Sequence, residues 1–183
     1  MGKNILVISA SPRKGGNSES LADEFVRGAQ DAGNQVEKVC LYNQEIGFCR
    51  GCLACLKSHR CVIRDGADAI AQKMHIADVL VFATPIYYYE MCGQLKTMLD
   101  RANPLYGSDY RFRDVYLLST AADESKDTPE RAKNGLTGWI TCFPKARLAG
   151  TVFAGGVDAA GAISGHPALG EAYEMGRSIG VSQ

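Results

Sequence analysis

Residues 4–18 read NILVISASPRKGGNS, and this stretch decides the fold class. The apolar run at residues 5–8 predicts a buried strand, because it is too short for a membrane span or for the core of a signal peptide. The polar residues at 9–18 predict a loop, and helical spacing of apolar residues at 21–29 predicts an amphipathic helix with Asn17 as its N-cap. A buried strand, a short loop and a helix in this order are typical of an α/β domain.

The same pattern recurs along the chain. Apolar runs predict further buried strands at 79–83, 115–118 and 152–154, and the alternating segment 35–41 predicts a strand at the edge of the sheet. Helical spacing between the strands predicts helices at 67–74, 95–102 and 169–179, with another around Trp139. The sequence contains no internal repeat, low-complexity tract or linker, so we predict one domain over residues 1–183. Right-handed crossovers in such a domain cover both faces of a parallel sheet. The predicted fold of the domain is α/β, flavodoxin-like and three-layered, with a five-stranded parallel sheet in the order 2-1-3-4-5.

The charge balance narrows the classes of partner. Among 183 residues, 20 Lys and Arg stand against 20 Asp and Glu, so the formal net charge is zero. Without an excess of basic groups, we expect neither nucleic acid nor an anionic membrane as a partner. Without an export signal, we expect a cytoplasmic location, where the seven cysteines stay reduced.

The loop at residues 9–18 has the composition of an anion site. Glycines let the backbone approach a ligand, helix N-terminal amides carry the positive end of the dipole, and Ser, Asn and Arg side chains add donors. A terminal phosphate fits such a loop best. The stretch lacks the Gly-Lys-Ser/Thr ending of a P-loop, the G-x-G-x-x-G dinucleotide pattern and the C-x5-R of low-molecular-weight phosphatases. The alternative interpretation is an ordinary polar turn before a capped helix.

Three consecutive tyrosines, Tyr87, Tyr88 and Tyr89, follow the predicted strand at 79–83. A loop that is fixed by Pro85 and carries aromatic rings at the carboxyl edge of the sheet suits a planar ring system that stacks on it. A structural plug and a dimer surface are the alternatives, because tyrosine is common in both.

Four of the seven cysteines form a compact C-x2-C-x2-C-x5-C motif at Cys49, Cys52, Cys55 and Cys61. Four thiolates at this spacing are candidate ligands of a [4Fe-4S] cluster. There are three alternatives to a cluster. The motif could bind zinc, its cysteines could be packed free thiols, or they could form a reversible disulfide that neighbouring basic residues activate. We interpret the remaining cysteines, Cys40, Cys92 and Cys142, as packing residues.

Three motifs together resemble the NAD(P)H-dependent FMN reductase family, and most closely its iron-sulfur flavoprotein branch. These motifs are SASPRKGGNS at 9–18, the cysteine motif followed by VIRD, and ATPIYYYEMCGQLKTMLDR at 83–101. The resemblance implies that the FMN phosphate is held by Ser9, Ser11, Arg13, Gly16, Asn17 and Ser18. It also implies that the isoalloxazine ring is lined by Pro85, Ile86, Tyr87 and Tyr88 on one side and by Ser119, Thr120 and Ala121 on the other.

The resemblance implies an oxidoreductase that passes electrons from NAD(P)H through FMN to a small acceptor such as a flavin or a quinone. No dedicated catalytic acid or base is expected, because the cofactor carries the chemistry. The alternatives are an iron-sulfur flavoprotein that exchanges electrons with ferredoxin through a [4Fe-4S] cluster, and a non-catalytic flavin-binding module. A homodimer or homotetramer is expected from the resemblance and from the tyrosines.

Overall fold

The computed structural model describes residues 2–180, and these contain six strands and six α-helices. The strands are β1 (Asn4–Ser9), β2 (Gln35–Cys40), β3 (Val79–Tyr87), β4 (Glu90–Met91), β5 (Asp114–Thr120) and β6 (Arg147–Ala154). The helices are α1 (Asn17–Asp31), α2 (Cys55–Ser58), α3 (Gly66–Ile76), α4 (Gly93–Arg101), α5 (Glu130–Thr141) and α6 (Pro167–Arg177). Two short 3-10 turns lie at Leu41–Asn43 and Asn103–Leu105.

Five parallel strands form the sheet in the order β2-β1-β3-β5-β6. Numbered among themselves, these strands have the predicted order 2-1-3-4-5, and β2 lies at the edge as expected. The predicted strand count was wrong by one, because β4 is a sixth, two-residue strand that pairs antiparallel with the end of β3. Sequence pattern alone missed it, since a two-residue strand has no periodicity to detect.

Helices cover both faces of the sheet, which confirms the three-layer fold. On one face, α1 and α6 pack together through apolar residues such as Phe25 and Ala172. Their backbones approach closely at Gly28 and Gly176, where an added Cβ would lie 2.0 Å from the Tyr173 carbonyl oxygen and 2.2 Å from the Phe25 carbonyl oxygen, respectively. Helices α3, α4 and α5 bury their apolar sides against the other face.

The carboxyl ends of the central strands all lie at one edge of the sheet, because the strands run parallel. The loops that follow β1, β3, β5 and β6 therefore converge there. No helix within residues 2–180 has the length and apolar character needed to cross a membrane.

Candidate functional site

A cleft of about 150 Å³ lies at this edge of the sheet. Thirteen residues are expected at the flavin from the family resemblance, and ten of them line this cleft together: Ser11, Arg13, Gly16, Asn17, Ser18, Pro85, Ile86, Tyr87, Thr120 and Ala121. Three predicted loops thus meet in one place, although they are separated by up to about a hundred residues of chain.

The other three predicted residues lie outside the wall of the cleft. Ser9 is fully buried, and its Oγ has no hydrogen-bond partner among residues 2–180. Ser119 is buried in β5 and donates from Oγ to the Val152 carbonyl at 3.4 Å. Tyr88 lies on the outer surface, with 98% of its area exposed.

The N-terminus of α1 faces the cleft without a side-chain cap. The predicted N-cap was wrong by one residue, because Gly16 occupies the N-cap position and makes no side-chain cap. The first-turn amides of this 15-residue helix are therefore not used by a cap, and the positive end of its dipole is directed at the cleft. These are the features of a phosphate-binding helix terminus.

Ser11 shapes the loop before α1. Its Oγ donates to the Arg13 carbonyl at 2.7 Å and accepts from the Arg13 N–H at 3.3 Å. An added Cβ at Gly16 would lie 2.3 Å from Ser11 Oγ, so a larger residue here would displace the Ser11 hydroxyl from its hydrogen bonds with Arg13. The close approach of backbone and hydroxyl leaves a concave surface with the Arg13 side chain exposed beside it.

Asn17 joins the loop after β6 to the phosphate loop instead of capping α1. Its Nδ2 donates to the Ala159 carbonyl at 2.9 Å and to the Val157 carbonyl at 3.3 Å, and its Oδ1 accepts from the Ile163 N–H at 3.4 Å. The Asn17 side chain therefore fixes a fourth loop against the cleft, although its residue type alone indicated only a cap.

Glu19 is a further residue that holds the phosphate loop, and the sequence did not single it out. Its Oε2 accepts from the Gly15 N–H at 2.7 Å, and its Oε1 accepts from Lys38 Nζ at 3.2 Å. Burial raises the pKa of Glu19, but hydrogen bonds from Gly15, Cys40 and Lys38 outweigh that effect and lower it. Glu19 therefore stays ionised and keeps Gly15 in place. Its place as the third residue of α1, where a carboxylate can accept from an amide at the start of the helix, was the available signal.

Four residues of the cleft wall were also missed: Pro12, Ala122, Val157 and Asp158. The last two follow β6, and the Asp158 carbonyl accepts from Arg13 Nη2 at 3.4 Å. The rule that ligands bind beyond the carboxyl ends of parallel strands applies to β6 as well and could have found them.

The tyrosine loop is a strained two-residue turn. Tyr87 pairs with Glu90 across β3 and β4, and the intervening Tyr88 and Tyr89 have positive φ angles of 51° and 66°. A turn with two positive φ angles normally contains Asn and Gly, and each bulky residue in this conformation costs about 1–3 kcal/mol. Arg131 lies over the Tyr89 ring at 5.8 Å. Strain of this kind is concentrated at functional sites.

A second cavity, of about 430 Å³, lies beside the cysteine loop. All four cysteines of the motif line it, with Trp139 and Phe143 forming part of its apolar wall. Cys55 is buried, Cys61 is half-buried, and Cys49 and Cys52 are exposed. The C-x2-C-x2-C-x5-C spacing thus brings its four thiols to a single cavity.

Two N–H groups at this cavity donate hydrogen bonds to sulfur atoms of the motif, an arrangement that suits a group bound by thiolates. Asn103 Nδ2 donates to Cys55 Sγ at 3.0 Å, and the Gly51 N–H donates to Cys49 Sγ at 3.5 Å. Within residues 2–180, however, no three His, Cys, Asp or Glu side chains are gathered at distances that would hold a metal ion. The thiols surround the cavity and would have to converge to act as ligands together.

The three cysteines outside the motif have different surroundings. Cys92 is buried at the start of α4 and donates from Sγ to the Ala10 carbonyl at 3.2 Å, and burial raises its pKa, so it is a packing residue as expected. Burial and a hydrogen bond with Glu19 raise the pKa of the half-buried Cys40 to about 11. The expectation for Cys142 was wrong, because this residue is exposed and lines the cysteine cavity.

Comparisons with known proteins agree with this fold. The family model described as NADPH-dependent FMN reductase matches residues 3–157. The chain is 37% identical over 97 residues to an iron-sulfur flavoprotein of Archaeoglobus fulgidus, covering 53% of this chain and 44% of that protein. It is 38% identical over 98 residues to an iron-sulfur flavoprotein of Methanosarcina thermophila, covering 54% and 51%. The chain spans about half the length of these curated relatives.

Among solved structures, an NAD(P)H:quinone oxidoreductase from Methanothermobacter marburgensis superimposes with a TM-score of 0.77. The match covers 100% of this chain and 98% of that protein, at 16% sequence identity. At this level of identity the similarity establishes a shared fold.

Proposed function

Because this chain belongs to the NADPH-dependent FMN reductase family, we propose that it is an FMN-dependent NAD(P)H oxidoreductase that delivers electrons to a small acceptor such as a flavin or a quinone. The observation that carries the proposal is the convergence of three loops on one cleft with an uncapped helix terminus. A phosphate-bearing ligand with a flat ring matches both halves of that cleft.

The polar half of the cleft binds the phosphate. Ser18 and the first-turn amides of α1 supply neutral donors, and Arg13 supplies the positive charge. Ser11 shapes the loop through its hydrogen bonds with Arg13. Glu19 holds Gly15, and Asn17 holds the loop after β6, so the donors are positioned before the ligand arrives. Preorganised donors of this kind lower the entropic cost of binding.

The other half orients the ring. One wall of this half is the end of β3, with Pro85, Ile86 and Tyr87, and the opposite wall is the end of β5, with Thr120 and Ala121. These two walls exclude water from one edge of a planar ligand. Bound FMN would accept a hydride from the nicotinamide and pass electrons on singly or in pairs. No side chain needs to act as a general acid or base, so the residues of the chain bind and orient.

Titration with FMN followed by steady-state NAD(P)H oxidation tests this function. We expect FMN to bind with a one-to-one stoichiometry and a quinone or free flavin to be reduced at the expense of NADPH or NADH. FMN binding without nicotinamide oxidation by any acceptor would favour a non-catalytic flavin-binding module, and absence of FMN binding would refute both functions.

A second candidate function rests on the cysteine cavity and its surroundings. Between Glu45 and Asp65 the chain contains no acidic residue, and Arg50 and Lys57 lie exposed beside the four thiols, whereas Arg60 pairs with Asp68. Such a basic rim favours an acidic redox protein as partner. We therefore propose, as the alternative, an iron-sulfur flavoprotein whose cluster ligands are Cys49, Cys52, Cys55 and Cys61 and whose partner is ferredoxin.

Anaerobic reconstitution with iron and sulfide separates the two candidates. Four irons and four sulfides per chain, with reduction by ferredoxin that slows as ionic strength rises, would support the alternative. Absence of bound iron and sulfide after reconstitution would leave the reductase function alone.

The assembly state belongs to the same proposal. Tyr88 and Tyr89 expose 98% and 52% of their area beside the cleft, and we propose that they contact a second copy of the chain in a homodimer or homotetramer. Light scattering on a size-exclusion column gives the mass directly, and a monomer at micromolar concentration would contradict the proposal.

A further inference from the structure

Arg101, at the end of α4, closes the base of the cysteine loop. Its side chain is fully buried. Nη1 donates to the Gly47 carbonyl at 2.6 Å, and Nη2 donates to the Ile63 carbonyl at 3.0 Å. Gly47 precedes the first cysteine of the motif and Ile63 follows the last one, so one guanidinium holds both ends of the loop.

Asp65 completes this closure. Its two carboxylate oxygens accept from Arg101 Nη1 and Nη2, both at 2.7 Å, and Oδ2 also accepts from the Gly47 N–H at 2.8 Å. Oδ1 accepts from the Ala67 N–H at 3.0 Å and thereby caps α3. The ends of the cysteine loop are therefore fixed to α3 and α4 by protein groups alone.

One donor of Arg101 is not used by this arrangement. A guanidinium has five N–H groups, and the contacts with Gly47, Ile63 and Asp65 use the four on Nη1 and Nη2. Nε is buried and has no hydrogen-bond partner within residues 2–180. Arg101 and Cys61 line the same cavity, and the pKa of Arg101 is raised first by Asp65 and also by Cys61. An unused buried donor beside a thiol indicates a sulfur acceptor.

Asn103 lies two residues further along and contacts another thiol of the motif. It begins the 3-10 turn Asn103–Leu105, and its Nδ2 donates to Cys55 Sγ at 3.0 Å. Cys55 is the buried member of the motif, so this hydrogen bond orients its sulfur towards the cavity wall.

From these contacts we infer that Arg101 and Asn103 are the positioning residues of the cysteine site, and that they donate N–H groups to the sulfurs of Cys61 and Cys55 when those sulfurs bind a metal or a cluster. The inference rests on the second candidate function. Donors that surround a metal site fix the ligands and tune the metal, and their loss typically lowers metal affinity 10–100-fold.

Cobalt(II) added to the reduced protein under anaerobic conditions provides the test, because thiolate-to-cobalt absorption reports each sulfur directly. We compare wild type, Asn103→Leu and Arg101→Lys. Asp109→Asn is the matched control, because Asp109 lies outside the wall of the cavity and forms an exposed ion pair with Lys145. We expect cobalt affinity to fall about 10–100-fold in both variants, with the charge-transfer band moved to longer wavelength as sulfur loses a donor, and no change in the control.

A purely structural role for these residues gives a different result. If Arg101 only clamps the loop, variants that remain folded would show the wild-type charge-transfer wavelength, and this outcome would overturn the inference. Arg101→Lys is expected to be less stable than wild type as well. If Arg101→Lys does not fold, the charge-transfer wavelength of Asn103→Leu decides between a positioning role and a purely structural role.

The flavin measurements keep this inference separate from the reductase function. Normal FMN binding in a wild-type protein that forms no thiolate-to-cobalt band would overturn the inference and leave the reductase function intact. Normal cobalt binding in a protein that binds no FMN would refute the reductase function and leave the inference intact.

Discussion

Arg101 and Asp65 form a buried two-point ion pair in which each guanidinium Nη lies 2.7 Å from one carboxylate oxygen. The pair joins the end of α4 to the residue before α3 and so links two helices across the base of the cysteine loop. Burial raises the pKa of Asp65, but hydrogen bonds from Arg101 and the Gly47 N–H outweigh it and lower the pKa from 3.8 to about 2.

This shift predicts a dependence of stability on pH. Because the pKa of Asp65 is lower in the folded state, its contribution of about 2 kcal/mol is present above pH 4 and is lost as the pH falls towards 2. Asp65→Asn is expected to lower the free energy of unfolding by about 3–5 kcal/mol at pH 6, because it leaves a buried cation unpaired. Urea denaturation should show this deficit shrink by about 2 kcal/mol at pH 2.5. A deficit equal to that of the exposed Asp109→Asn control at both pH values would contradict the prediction.

Removal of the positive charge from the phosphate loop should weaken FMN binding selectively. A charge-assisted hydrogen bond contributes about 1.5–3 kcal/mol, so Arg13→Ala is expected to raise the FMN dissociation constant at least about tenfold. Arg13 is exposed, and thermal unfolding of the apoprotein should not change. Lys14→Ala is the control, because Lys14 is a neighbouring cation that does not line the cleft. Equal affinities in all three proteins would count against the phosphate assignment.

An added methyl group at Gly16 should disrupt the same loop from within. Its Cβ would lie 2.3 Å from Ser11 Oγ and 3.2 Å from the Arg13 carbonyl oxygen, so the hydroxyl has to leave its position. We expect Gly16→Ala to weaken FMN binding at least about tenfold in a fluorescence titration, by loss of the preorganised donors.

Gly138→Ala is the matched control for this change, because Gly138 lies within α5 and a Cβ there would enter open space. It should raise the free energy of unfolding by about 0.5–1 kcal/mol and leave FMN affinity unchanged. Flavin affinity that responds equally to both substitutions would argue against a specific role for Gly16.

The strained tyrosine turn should show a trade-off between stability and activity. Replacing Tyr88 by Asn and Tyr89 by Gly matches the residues to their positive φ angles, so the free energy of unfolding should rise by about 1–2 kcal/mol. Turnover of NAD(P)H with a quinone should fall, because the exposed rings beside the cleft are removed. Tyr106→Asn, at an exposed position with φ of −62°, should give no such gain in stability. Higher stability with unchanged turnover would show that the strain serves no catalytic purpose.

Much of the fold was accessible from sequence because each parallel strand is a short apolar run between polar loops. The two-residue β4 was not, since it is defined only by its pairing with β3. Asn17 illustrates the same limit at a single position. Its residue type and place before a helix indicate an N-cap, but contacts with Val157 and Ala159 direct its side chain to a loop some 140 residues away in sequence.

The sequence by itself determined the α/β class, the strand order and the three loops of the cleft, because strand periodicity and the phosphate loop are local properties of the chain. Only the tertiary structure decided which loop residues face the cleft, that Ser9 and Ser119 lie buried behind it, and that Cys142 reaches the cavity of the cysteine motif. It also decided the role of Arg101, whose partners at Gly47 and Ile63 lie 54 and 38 residues away in sequence. Side-chain direction and long-range pairing depend on packing across the sheet, and local sequence does not encode them.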